Sequence, residues 1–196
     1  MNFSEQKTEL NAIYEGYERA VVLFKAGAIC KPGCAFCCTH YGRLDITTLE
    51  GRIIWDWLSQ RRPDDRAALQ RKIEKNRKAK EKGATDPCPF LKPDRTCRIY
   101  PIRPFSCRQI YSVRPCEGRG PTVHRQSREA AKKTIVQLQQ LDARGYSGHL
   151  SFILNLLDQK QFRKVYFSGG FDPGLIKVFG KKHGIVINRK ALGAMR

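Results

Sequence analysis

All eight cysteines of this 196-residue chain fall in two segments, and the second is too rich in proline to fold on backbone hydrogen bonds alone. Cys30, Cys34, Cys37 and Cys38 lie within the run Cys30-Lys-Pro-Gly-Cys34-Ala-Phe-Cys37-Cys38. Cys88, Cys97, Cys107 and Cys116 follow in the stretch from Gly83 to Pro121. There Pro87, Pro89, Pro93, Pro101, Pro104 and Pro115 each fix φ and remove an amide donor. A loop of such length is either disordered or held by something other than secondary structure. Phe90, Leu91, Ile99, Tyr100, Ile102 and Phe105, together with the cysteines, point to a segment that is held. Thiols two or three residues apart can be aimed at one point by a tight turn, here at Pro32-Gly33. The pattern therefore predicts a metal ion or an iron–sulfur cluster that replaces missing secondary structure.

The remainder of the chain predicts helices. Leu10, Ile13, Tyr14, Tyr17, Val21 and Phe24 recur near the 3.6-residue period, which gives a helix over Ser4–Ala28 closed at Gly27. Thr47-Thr-Leu-Glu50 is a capping-box pattern ahead of Ile53, Ile54 and Leu58. Pro63-Asp-Asp opens a polar helix to about Lys82, with proline in its first turn and carboxylates at the positive end of its dipole. Further helices are expected from Pro121 to about Asp142, from Gly148 to Lys160 and from Asp172 through Phe179. Lys164–Ser168 reads as a short strand or turn, and Gly184–Asn188 as a short strand. The fold class is mainly α, with few or no strands: a single domain over 1–196, stapled by metal through its irregular segment. The cysteine-cluster core spans about 28–120 and a helical part about 121–196.

A formal charge of +19 would attract polyanions, so an acidic partner or nucleic acid is a possible partner beside the metal ion itself. No aromatic residues interleave the basic helix after Pro63, as a base-stacking platform would need. The first residues lack an apolar signal region, and no run reaches the length that spans a bilayer. These features predict a cytoplasmic protein with no membrane partner, in a compartment that keeps thiols reduced and available to metal.

Three states of the cysteines are open on spacing alone: tetrahedral zinc, an iron–sulfur cluster, or no metal. Cys37 and Cys38 are adjacent and diverge, so one of the pair either faces a second ion or stays free. Cys30-x3-Cys34-x2-Cys37 is also the spacing of radical S-adenosylmethionine enzymes. Its position after a helix, in a chain without alternating strands and helices, argues against that fold.

The cysteine run, then Cys88-Pro-Phe-Leu, Cys97-Arg-Ile-Tyr100 and Arg103-Pro104-x-x-Cys107-Arg108, resembles the bacterial cysteine-cluster family of CxxCxxCC type, a zinc- or iron-chelating domain. The resemblance covers about Cys30 to Arg108. The first gap holds three residues rather than two, and Cys116 lies outside the signature. It implies metal bound by Cys30, Cys34, Cys37, Cys38, Cys88, Cys97 and Cys107, and the clustering of the second segment adds Cys116. The cofactor expected is Zn2+, the alternative being iron or a [4Fe-4S] cluster. A related cysteine signature occurs in flagellin lysine methylases, an analogy that keeps a metal- or iron–sulfur-dependent enzyme in view beside a metal-binding protein and a zinc-stapled nucleic-acid-binding module. Lys31, Arg98, Arg103 and Arg108 flank the cysteines and can offset thiolate charge, Arg103 best of all because Pro104 stiffens the chain beside it. His40 could replace a thiolate, whereas His124, His149 and His183 read as structural or exposed.

Overall fold

The computed structural model describes residues 1–42, 44–116 and 118–193. The architecture is mostly helical, with one small antiparallel sheet. Helix α1 (Phe3–Lys25) starts on a capping box: Asn2 Oδ1 accepts from Glu5 N–H at 3.0 Å, and Glu5 Oε2 accepts from Asn2 N–H at 2.8 Å. It buries Leu10, Tyr14, Tyr17 and Val21, spaced four, three and four residues apart, which places them on one face. The Thr47 box also forms as expected and opens α2 (Thr48–Ser59), and Pro63 opens α3 (Pro63–Glu81).

Among the described residues between Gly83 and Pro121, the regular helical elements are one 3₁₀ turn (Tyr100–Ile102) and the four-residue α4 (Phe105–Arg108). Next come α5 (Arg125–Leu141), α6 (Leu150–Asp158), α7 (Lys160–Phe167) and α8 (Lys177–His183), the last entered through a 3₁₀ turn at Pro173–Ile176. A final helix, α9, covers Asn188–Gly193. Three expectations are corrected. The helix expected from Pro121 begins at Arg125. Gly148 and His149 belong to a strand rather than to the helix that follows. Lys164–Phe167 is helical, because Phe162 and Tyr166, four residues apart, both turn into the core.

The sheet joins β1 (Asp45–Thr47), β2 (Tyr146–His149) and β3 (Val186–Ile187) in that order, with Ile46 opposite Gly148 and Tyr146 opposite Ile187. Two cores flank it. In the larger, α6 is wrapped on nearly every side: Leu150, Ile153, Leu154, Leu156 and Leu157 are at most 2% exposed and pack with Ile54, Ile73, Phe90 and Tyr146. In the smaller, α1 packs on α5 through Leu10, Tyr14, Tyr17 and Leu138, joined by Leu49 of α2 and Phe105 of α4. The proline-rich segment is thus anchored in both cores, by Phe90 and Ile99 in one and by Phe105 in the other.

Candidate metal centre

The loops carrying the cysteines are fixed by short-range hydrogen bonds. Cys37 and Cys38 open a single π-helical turn, Cys37–Tyr41. The amide of Cys88 donates to the carbonyl of Cys38 at 2.7 Å, which sets the second cysteine segment against the first. Leu91 and Cys97 form an antiparallel bridge around a tight turn in which Asp94 Oδ1 accepts from Thr96 N–H at 2.9 Å. Asn76 of α3 reaches over from the scaffold, its Nδ2 donating to the carbonyls of Asp86 and Pro87 at 3.1 and 3.2 Å. At the far end, Ile29 N–H donates to the Ser112 carbonyl at 2.9 Å, and Ser112 Oγ accepts from Thr122 N–H at 2.9 Å. Those bonds bring the loop of Cys116 to the start of the first cysteine run.

Glu50 positions α4, the element that carries Cys107. Its carboxylate is buried and accepts from Tyr14 Oη at 2.6 Å, Phe105 N at 2.7 Å and Thr47 N at 2.8 Å. One side chain therefore ties α1, α2 and the first residue of α4 together. Ser106 Oγ adds a bond to the carbonyl of Asp45 in β1.

The electrostatic surroundings of the thiols divide them into two groups. Cys107 is pushed well above the usual thiol range by burial, and the neighbouring sulfurs of Cys88, Cys38 and Cys97, with Glu50, push in the same direction. Cys88 rises to about 12, again through burial, with Cys38 and Cys97 as its sulfur neighbours. Cys38 is raised by burial and by Cys97 ahead of Cys34. The other group is centred on Cys37, which burial pushes up to about 12 with Cys116, Cys30, Cys38 and Cys34 adding. Cys30 is raised by burial and has Cys34 and Cys116 beside it. Most sulfur neighbours of Cys38, Cys88 and Cys107 thus fall within Cys38, Cys88, Cys97 and Cys107, and those of Cys30 and Cys37 within Cys30, Cys34, Cys37 and Cys116, with Cys34–Cys38 and Cys37–Cys38 crossing between the two. They meet at the peptide bond between Cys37 and Cys38.

Amide donors pull against these shifts. Phe90 and Leu91 N–H point at the Cys88 sulfur, Ile99 N–H at Cys97 and Ser112 N–H at Cys30, and each favours the thiolate. Arg103 does the same for Cys97 through its charge, while its guanidinium stacks on Tyr100 at 3.9 Å. Arg108 faces elsewhere, over the ring of Tyr14 at 4.3 Å. His40 is engaged by Thr39 Oγ1 at 2.6 Å and stacks on Phe36.

All eight cysteines are free thiols, Cys30 and Cys34 exposed and the others half-buried. Among the described residues, no three His, Cys, Asp or Glu side chains are gathered as they stand into a group that could hold a metal ion. The sulfurs within each group are neighbours rather than preset ligands. Protonated thiols have no drive to converge and thiolates repel one another, so a metal ion bound here would itself have to draw them together. Each group fits zinc or iron in donor chemistry, since four thiolates suit both a tetrahedral ion and an iron–sulfur cluster.

One feature of the site lay outside the sequence reading. A cavity of about 460 Å³ opens against α4, lined on one side by Phe105, Ser106 and Gln109 and on the other by β1, β2 and residues of α3, α5 and α8. His149, expected to be structural or exposed, is buried in its wall.

A small helical scaffold that gathers eight thiols through irregular, backbone-braced loops defines a cysteine-cluster protein. The chain belongs to the CxxCxxCC family, whose model, described as "CxxCxxCC: Putative zinc- or iron-chelating domain", matches residues 29–139. Membership supports metal binding as the general function, with zinc or iron as the element. The match takes in Cys116, beyond the signature recognised from spacing, and leaves out α1 and α6, around which the two cores are built. Comparison with curated proteins and with solved structures found no match. No helix among the described residues is long and apolar enough to cross a membrane.

Proposed function

We propose that the protein binds two metal centres through thiolates, one on Cys30, Cys34, Cys37 and Cys116 and one on Cys38, Cys88, Cys97 and Cys107, with Zn2+ as the ion at each. The observation that carries this reading is the division of the thiols into two neighbourhoods of four, with the adjacent Cys37 and Cys38 on opposite sides of the boundary. Four thiolates saturate a tetrahedral zinc ion and leave no position for substrate, the arrangement of a structural site. Amide donors at Cys88, Cys97 and Cys30 and the charge of Arg103 disperse the negative charge such a site accumulates. Metal at these positions also gives the Gly83–Pro121 segment the cross-links its prolines deny it. A reducing cytoplasm is the setting in which all eight thiols stay available.

Elemental analysis of full-length protein, purified anoxically without added metal, tests the reading. The expected result is about two zinc ions per chain and no visible absorption. Cys107→Ser and Cys37→Ser should each lower zinc to about one ion per chain, since each removes one ligand set. Metal-free protein of unchanged thermal stability sinks the reading. Iron with acid-labile sulfide and a brown colour replaces zinc with a cluster, and loss of both ions from either single variant overturns the division into two sites.

A further inference from the structure

We infer that the cavity beside α4 is a binding site for a small organic carboxylate with an apolar body, its carboxylate held by Lys80 and the amides of Gln109 and Gln139. The volume, about 460 Å³, is within the range of small-molecule sites. Its walls supply the apolar share through Ile46, Phe105, Ile110, Leu138 and Phe152. Lys80 supplies the charge. Its half-buried amine donates to the Gly42 carbonyl at 3.1 Å and forms no ion pair among the described residues, which leaves two of its three N–H donors to spare.

The carboxylates nearby do not neutralise Lys80. Glu50 is occupied by donors from Tyr14, Thr47 and Phe105. Glu81 is occupied by Arg77 and by His183, whose Nε2 lies at 3.4 Å. Asp45 is exposed at the rim. His149 does not compete for the anion as a cation. Burial first, then the Lys80 amine, pushes it down to about 4, and its Nδ1 is paired with Ser151 Oγ at 2.8 Å. The side-chain amides of Gln109 and Gln139 have no hydrogen-bond partner among the described residues, although Gln139 is only 8% exposed. Both amides line the cavity with polar atoms that are accessible rather than sealed, so each can donate to a polar ligand there. The ligand class follows: one anionic group for Lys80, acceptor oxygens for the two amides, and an apolar body for the remaining wall. None of the residues invoked is a cysteine, so the inference stands apart from the proposed metal centres.

The test is calorimetric titration of the full-length protein, as isolated, with 3-phenylpropionate and octanoate, each beside its neutral primary amide. Both carboxylates should bind at least about tenfold more tightly than their amides, the scale of one charge-assisted hydrogen bond. Lys80→Met should remove that preference. Ile135→Trp, which fills the cavity from a partly exposed wall position and leaves Lys80 untouched, should weaken acid and amide alike by about tenfold or more. Should Lys80→Met fail to fold, the Ile135 variant and the acid–amide comparison decide on their own. Equal binding of acid and amide, full binding by Ile135→Trp, or no heat from either acid at millimolar concentration overturns the inference.

Discussion

At the scale of single residues, the ionisable groups sunk into the protein do the positioning. Asp142 is 2% exposed and accepts from Tyr166 Oη at 2.7 Å, Leu49 N at 3.0 Å and Asn188 Nδ2 at 3.2 Å, so α2, α7 and α9 meet on one carboxyl. Burial outweighs those bonds and raises it to about 7. In the unfolded chain an aspartate titrates near 4, so between about pH 4 and 7 the folded state holds the extra proton. Stability from this group is complete below pH 4 and is lost as pH rises to 7. Asp142→Asn removes that gradient but also sets an amide against the Leu49 and Asn188 donors. The variant should be less stable throughout, with the deficit shrinking from pH 4 to 7; urea unfolding at several pH values measures it, and a deficit independent of pH contradicts the raised value. Glu50 does comparable work for α4, and Arg103 brings its charge to Cys97 while resting on Tyr100.

Among elements, the α2–α6 crossing is packed with little tolerance. A Cβ built on Gly51 would lie 2.7 Å from Ile153 Cγ2 and 3.0 Å from Leu157 Cδ1, side chains with no exposed surface into which to shift. Gly51→Ala should cost about 1–3 kcal/mol through overpacking despite its better helix propensity, as read from the denaturation midpoint; unchanged or increased stability contradicts this packing. The same glycine marks how much a sequence can reveal. The capping box at Thr47, the proline start at Pro63 and the period of Leu10, Tyr14, Tyr17 and Val21 were all legible, because each is a local signal. The strands were legible only in part. They run three, four and two residues, too short for alternation to register, and β2 passes directly into α6. The cysteines announced metal chemistry, but their neighbourhoods could not be read, because Cys37 and Cys38 adjoin in sequence and face different groups. The cavity was illegible for a related reason: Lys80, Gln109, Gln139 and His149 come from four separate parts of the chain.

For the molecule as a whole, a helical scaffold with two cores supports an irregular face. The buried residues of the two cores are not cysteines, although Cys88 and Cys97 pack against the larger one, whereas the Gly83–Pro121 face rests on Phe90, Ile99 and Phe105 and on a limited set of backbone bonds. Under the metal-binding reading, a strong chelator with reductant should spare most of the helical circular dichroism while opening this face. Limited trypsin digestion should then cut first at Arg95, Arg98, Arg114 or Arg119, and an unchanged cleavage pattern counts against metal as the brace. The formal charge of +19 is less available to partners than its size suggests. Guanidinium groups of Arg52, Arg61, Arg103, Arg108, Arg163 and Arg189 lie on aromatic rings at 3.7–4.7 Å from the ring centres, part of the fold's own packing.

The shared boundary at Cys37–Cys38 has an evolutionary consequence. Under the two-centre reading the sites are nested: Cys38, Cys88, Cys97 and Cys107 lie in one contiguous stretch that could be copied whole, whereas the outer four cannot be lifted out without carrying the inner set along.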